Sequence, residues 1–147
     1  LGVVVRAALE PAGGGARVDL GGCGPGAMLP PAQALALAMA VHELATNALK
    51  HGALSAPGGR VSVSCRAEAG GGASVDWEEH GGPPVAGPPA RRGFGLRLLE
   101  RGLAAQGTVA AELRFEPAGL RCRLSLPEPQ RAAEPPPAHA LAARSVV

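Results

Sequence analysis

A chain of 147 residues has the length of one compact domain. Hydrophobic residues make up 46%, but only Trp77, Phe94 and Phe115 are aromatic, so a core here is built from Leu, Val and Ala. With 14 basic against 12 acidic residues the net charge is +2, and no basic run is interleaved with aromatics, which argues against nucleic acid as a partner.

In chain order, short apolar runs at 3–9 and 16–20 flank PAGGGA and predict two strands joined by a flexible turn. A third short strand is expected near Ala27 to Leu29. Pro30 and Pro31 then open an alanine- and leucine-rich segment that runs to Lys50 and meets Gly52. A proline start and a glycine stop predict a long helix there. APGG at 56–59 is a turn. In the RVSVSCRA that follows, Val61, Val63 and Cys65 alternate with Ser62, Ser64 and Arg66, the pattern of a half-buried strand.

AGGGA makes another turn and SVDWE another alternating strand. LRFEPAGLRCRLSLP reads as a hairpin with Leu113, Phe115, Leu120, Cys122, Leu124 and Leu126 on one face. Between these strands, HGGPPVAGPPARR holds three Gly and four Pro in 13 residues and suits a mobile lid. Leu96, Leu99 and Leu103 then recur at helical spacing between Phe94 and Ala105. Residues 1–127 are expected to form the domain, and 128–147, Pro- and Ala-rich with few apolar anchors, a disordered tail.

Cys23, Cys65 and Cys122 are odd in number and lack CxxC spacing, so neither a disulfide framework nor a zinc knuckle is expected, and a reducing cytoplasm fits. No apolar stretch is long enough to span a bilayer, and the start lacks the parts of a signal peptide, so no membrane contact is expected of this segment. A first residue of Leu rather than Met suggests a piece of something longer.

The segment HELATNALKHGALS, residues 42–55, carries the most chemistry. On a helix, Ala36, Ala40, Glu43, Asn47 and Lys50 make one stripe and Leu37, Val41, Leu44 and Ala48 another. The second stripe can enter a core, leaving a carboxylate, an amide and an ammonium beside two small alanines. An amide oxygen suits Mg²⁺, an ammonium suits phosphate, and a carboxylate one turn away can take a proton or orient a nucleophile. A solvated helix face has the same look.

In VDWEEHGGPPV, Glu79 ends a predicted strand, where a carboxylate can accept hydrogen bonds from the amine of adenine, and Gly81 and Gly82 let backbone approach the ring. Trp77 shares the side of Glu79, and a sole Trp is more often core than ligand contact. In RRGFGLRLLE, Gly93 and Gly95 flank Phe94 before a helix, an arrangement that binds phosphate through free N–H groups, although a lone GxG is a weak signal.

These three clusters, in this order, resemble the catalytic ATP-binding domain of HWE histidine kinases, members of the GHKL or Bergerat-fold ATPase superfamily. His42 of the first cluster, with Trp77 and Glu79 of the second, matches the residues that give the family its name, and the similarity runs from about Val3 to Pro127. The resemblance implies an α+β, two-layer α/β sandwich, its mixed, mainly antiparallel sheet packed on helices.

It further implies ATP and Mg²⁺ as cofactors. Asn47 would coordinate Mg²⁺, Glu43 would act as base or orienting carboxylate, and Lys50 would contact phosphate. Glu79, Gly81 and Gly82 would meet adenine, and Gly93, Phe94, Gly95 and Leu96 would form the second glycine box. His51 stands where the family usually has Tyr, which affects nucleotide stacking, and His42 reads as a packing residue.

The function implied is transfer of the ATP γ-phosphate to a histidine on an upstream dimerisation and phosphoacceptor domain, then to a response-regulator receiver domain. None of His42, His51, His80 or His139 resembles that acceptor, so the chain alone is expected to be inactive in autophosphorylation. A non-catalytic docking module of the same fold and a serine kinase of the anti-sigma type are the alternatives.

Overall fold

The computed structural model describes residues 1–10, 17–24, 28–87 and 108–128. The chain begins with helix α1 (Gly2–Leu9) and strand β1 (Val18–Gly21), then the long helix α2 (Pro31–Lys50) and a short 3-10 turn at Ala53–Ser55. Four strands follow: β2 (Arg60–Ala67), β3 (Ala73–His80), β4 (Ala110–Glu116) and β5 (Gly119–Leu126). They form one sheet in the order β1-β2-β3-β5-β4, with β1 parallel to β2 and every other pair antiparallel.

Helix α2 begins where its sequence says it should. Pro31 occupies the first turn, where its missing N–H has no helical partner to lose, and the 20 residues span about 30 Å. At the other end the amides of His51 and Gly52 both donate to the Asn47 carbonyl, at 2.8 and 3.0 Å, so the last turn keeps its acceptors occupied. Leu37, Val41, Leu44 and Ala48 are fully buried against Val61, Val63, Val75, Trp77 and Leu124 of the sheet. The alternation expected along β2, β3 and the β4–β5 hairpin is present and turns those side chains toward the helices.

The opposite face of the sheet is charged. Asp76 accepts from Arg123 at 2.8 and 3.2 Å and lies 3.2 Å from Arg66, Arg121 pairs with Glu116 at 3.2 Å, and Glu112 with Arg114 at 2.6 Å. The result is two layers, with helices on one side of the sheet and solvent on the other.

Four expectations are corrected. Residues 3–9 lie in α1, not in a strand: Val5 and Leu9, one helical turn apart, are both in the core, and Gly2 sits close against the backbone of Cys23 and Gly24. Packing therefore overrides the strand preference of three consecutive valines. Met28 and Leu29 are in no strand, and Ala27 lies outside the described residues. Ala36 and Ala40 do not flank a polar stripe but are core residues, 5% and 0% exposed.

The fourth correction concerns the cysteines. Cys23 and Cys65 form a disulfide, leaving Cys122 as a buried free thiol whose pKa burial pushes up to about 12. Parallel pairing places Gly21 opposite Ser64, so the two sulfurs, 42 residues apart in sequence, meet across a Cα–Cα distance of 4.8 Å. Among the described residues, no helix is long and apolar enough to cross a membrane. The expected helix at 94–105, the outer part of the expected lid and the tail beyond Glu128 lie outside the described residues.

Candidate functional site

Where the C-terminal end of α2 meets the end of β3, a cleft of about 240 Å³ opens. Asn47 and His51 line it from the helix and Glu79 from the strand. Pro83, Pro84 and Val85 close one side, and Phe115 and Leu120 of the hairpin supply an apolar wall. Polar groups at one end and an apolar surface beside them are what a ligand with a flat ring and a charged tail requires.

Glu79 is the unusual member, because its residue is only 4% exposed yet carries a carboxylate. Oε2 accepts from the Ala53 amide at 2.8 Å and Oε1 from the Trp77 indole N–H at 3.3 Å. Burial pushes the Glu79 carboxyl above the usual carboxylate range, and the two donors pull it back. The Ala53 amide is free to donate because it opens a 3-10 turn and has no partner within it. That turn is fixed from its far side by Arg17, which donates to the carbonyls of Leu54 at 3.1 Å and Ala56 at 2.9 Å.

Gly52 makes the arrangement sterically feasible. A Cβ at this position would overlap Glu79 Oε2 and come within 2.9 Å of the Ala48 Cα. Gly119, with φ +150, passes equally close to the Glu79 backbone, so the strand end is enclosed by two residues without side chains.

Of the residues expected at the site, Asn47, His51 and Glu79 thus meet in one cleft. Glu43 is half-buried on α2, and Lys50 and His42 are exposed; none of the three is among the lining residues. Gly82 packs on Ala53 at the cleft margin, whereas Gly81 turns, with φ +69, toward Gly58 and a separate hollow beside Arg60 and His80. Trp77 is core, 1% exposed, and reaches the site only through its N–H. Gly93, Phe94, Gly95 and Leu96 lie outside the described residues.

Sequence reasoning missed Gly52, Ala53, Gly119, Phe115 and Leu120. Gly52 was visible only as a helix stop, and the hairpin residues only as core. Among the described residues no group of three or more His, Cys, Asp or Glu side chains is placed to hold a metal ion.

The layered fold agrees with what known proteins show. No protein-family profile matches the chain. It is 42% identical over 106 residues, 71% of its length, to blue-light-activated histidine kinase 1 of Erythrobacter litoralis. It spans 29% of that relative's length. Among solved structures, the histidine kinase domain of an Erythrobacter litoralis blue-light activated histidine kinase superposes with a TM-score of 0.65 at 23% identity, over 86% of this chain and 62% of that one. The catalytic domain of the histidine kinase ThkA superposes with a TM-score of 0.52 at 13% identity, over 86% of this chain and 92% of that one, a likeness of fold alone. In sequence the chain is thus similar to blue-light-activated histidine kinases, and its fold is that of histidine kinase catalytic domains.

Proposed function

We propose that the cleft between α2 and β3 binds Mg-ATP and that the chain passes the γ-phosphate to a histidine on a separate helical segment, from which a response-regulator aspartate takes it. The observation that supports this best is Glu79: a buried carboxylate, held by two protein donors, beside an apolar wall and lining the same cleft as Asn47. In this reading the carboxylate accepts from the adenine amine, Leu120 and Phe115 face the ring, and His51 flanks the sugar or phosphates. Gly81 and Gly82 shape the loop after β3.

The donor set fits Mg²⁺ in a particular way. Asn47 offers one neutral oxygen at the cleft, and Mg²⁺ ordinarily takes one or two protein ligands and completes its shell with phosphate oxygens and water. The ion would neutralise developing phosphate charge. Lys50, in the last turn of α2, is assigned to phosphate, and Glu43, one turn before Asn47, to the proton of the attacking imidazole. In the transfer, an imidazole nitrogen bonds to the γ-phosphorus while the β–γ bridging bond breaks and ADP leaves. Gly93, Phe94, Gly95 and Leu96 are assigned to the phosphate side on the family pattern.

The partners are an acceptor domain and a receiver domain, and the setting is the cytoplasm, where ATP is available.

Titration with ATP in the presence and absence of Mg²⁺ tests the proposal. The natural chain binds Mg-ATP, and Asn47→Ala and Asn47→Asp each remove the metal-dependent part. Unchanged titration curves for both variants refute it.

A further inference from the structure

Trp77 fills the core, but filling the core does not require an indole. Any large apolar side chain at this position of β3 would join the buried cluster of Val41 and Leu44 beside Cys122, its neighbour on β5. What only Trp supplies is a buried N–H, which must find an acceptor. It finds Glu79 Oε1 at 3.3 Å, two residues along the same face of the same strand. The second oxygen is taken by the Ala53 amide at 2.8 Å, a donor from a different part of the chain. Two donors, one from the sheet and one from the turn after α2, thus converge on a single carboxylate. Gly52 leaves the space that the carboxylate occupies, and Gly119 lets the neighbouring strand approach the Glu79 backbone.

An ionised carboxylate offers about four lone-pair sites and no proton. With one site on each oxygen occupied by protein, what remains toward the cleft is acceptor only. Such a surface takes the N–H of an exocyclic amine and repels a carbonyl oxygen in the same place. We propose that Trp77 is a positioning residue for base selection: its indole N–H, with the Ala53 amide, orients Glu79 so that the cleft admits an aminopurine nucleotide and rejects an oxopurine one. The proposal rests on the assignment of the cleft to ATP and adds to it the means by which the base is chosen.

The test is equilibrium binding of Mg-ATP and of magnesium inosine triphosphate, in which a carbonyl oxygen replaces the adenine amine. Three proteins are compared: the natural chain, Trp77→Phe, and a chain in which Trp77 is exchanged for benzothienylalanine, the same ring shape with sulfur in place of N–H. The second replacement preserves the packing if Phe does not, and circular dichroism confirms that each protein is folded. The natural chain binds ATP more tightly than inosine triphosphate. Both replacements weaken ATP about fivefold to tenfold, the scale of one ordinary net hydrogen bond, and leave inosine triphosphate within about twofold. The ratio between the nucleotides therefore narrows, which loss of packing alone does not produce.

Parallel weakening of both nucleotides, or no change in either, overturns the role of Trp77 and leaves ATP binding standing. Equal affinity of the natural chain for both nucleotides also overturns it. Failure of the natural chain to bind ATP at all removes the underlying assignment as well.

Discussion

Strand β3 carries Asp76 and Glu79 on its two faces, and the faces treat a carboxylate in opposite ways. Asp76 looks outward among arginines, and the hydrogen bond from Arg123 holds its carboxyl below the usual range. Glu79 looks inward, where burial raises its carboxyl and only two N–H groups offset the cost. The outer acid is placed where a charge costs little, and most of its neighbours are exchangeable. The inner acid is placed where a charge is expensive, and the chain provides a turn, an indole and a missing Cβ to keep it there. Position on the strand, rather than residue type, separates a structural ion pair from a site group.

Substitutions on the two faces sharpen or break this contrast. The largest effect is expected from Trp77→Ala on the inner face, which should cost about 3–5 kcal/mol in urea unfolding because it empties the core behind Glu79. A loss under about 1 kcal/mol would mean the inner face is not packed as described. Gly52→Ala comes next. The added Cβ forces Glu79 aside or shifts the end of α2, with a stability loss of about 1–3 kcal/mol and impaired ATP titration. Unimpaired binding in this variant would show that the carboxylate need not sit where it does.

The pH dependence follows from the two shifts. Because the Asp76 carboxyl is lowered in the folded state, its contribution is present above the ordinary carboxylate range and is lost as pH falls through the folded value. Asp76→Asn should therefore lower Tm modestly at neutral pH, far less than Trp77→Ala, and the gap should close in acid. Glu79 has the reverse sign: its raised carboxyl favours the fold below the ordinary range, and that benefit is lost as pH rises through the folded value. The smallest effect is expected from Glu112→Gln, since Glu112 and Arg114 are both largely exposed. No change in Tm should be measurable, and a clear drop would give the outer face more importance than assigned here.

Much of this contrast was legible in the sequence. Alternation through VDWEE put Trp77 and Glu79 on one side of a strand, and the proline start and glycine stop bounded α2. Local pattern reveals such features because they depend on a period of two or 3.6 residues. What it could not reveal depends on register and on distant contacts. The valines at 3–5 favour a strand until Val5 and Leu9 find the core as a helix. The meeting of Cys23 with Cys65 follows from parallel pairing of β1 with β2, which no count of cysteines contains. Ala53 entered the site because its amide happens to start a turn beneath Glu79, and no side-chain chemistry marks it.

The turn at Ala53–Ser55 hangs between a guanidinium that grips the carbonyls of Leu54 and of Ala56 just after it and a carboxylate that takes its leading amide. The Ser55 amide donates to Gly52 within the turn, whereas deuterium uptake at the Ala53 amide is governed by a side chain. The Ala53 amide thus acts as a resident gauge of the Glu79 carboxylate, slowing its exchange with heavy water when an occupant clamps that group and quickening it when the group is displaced.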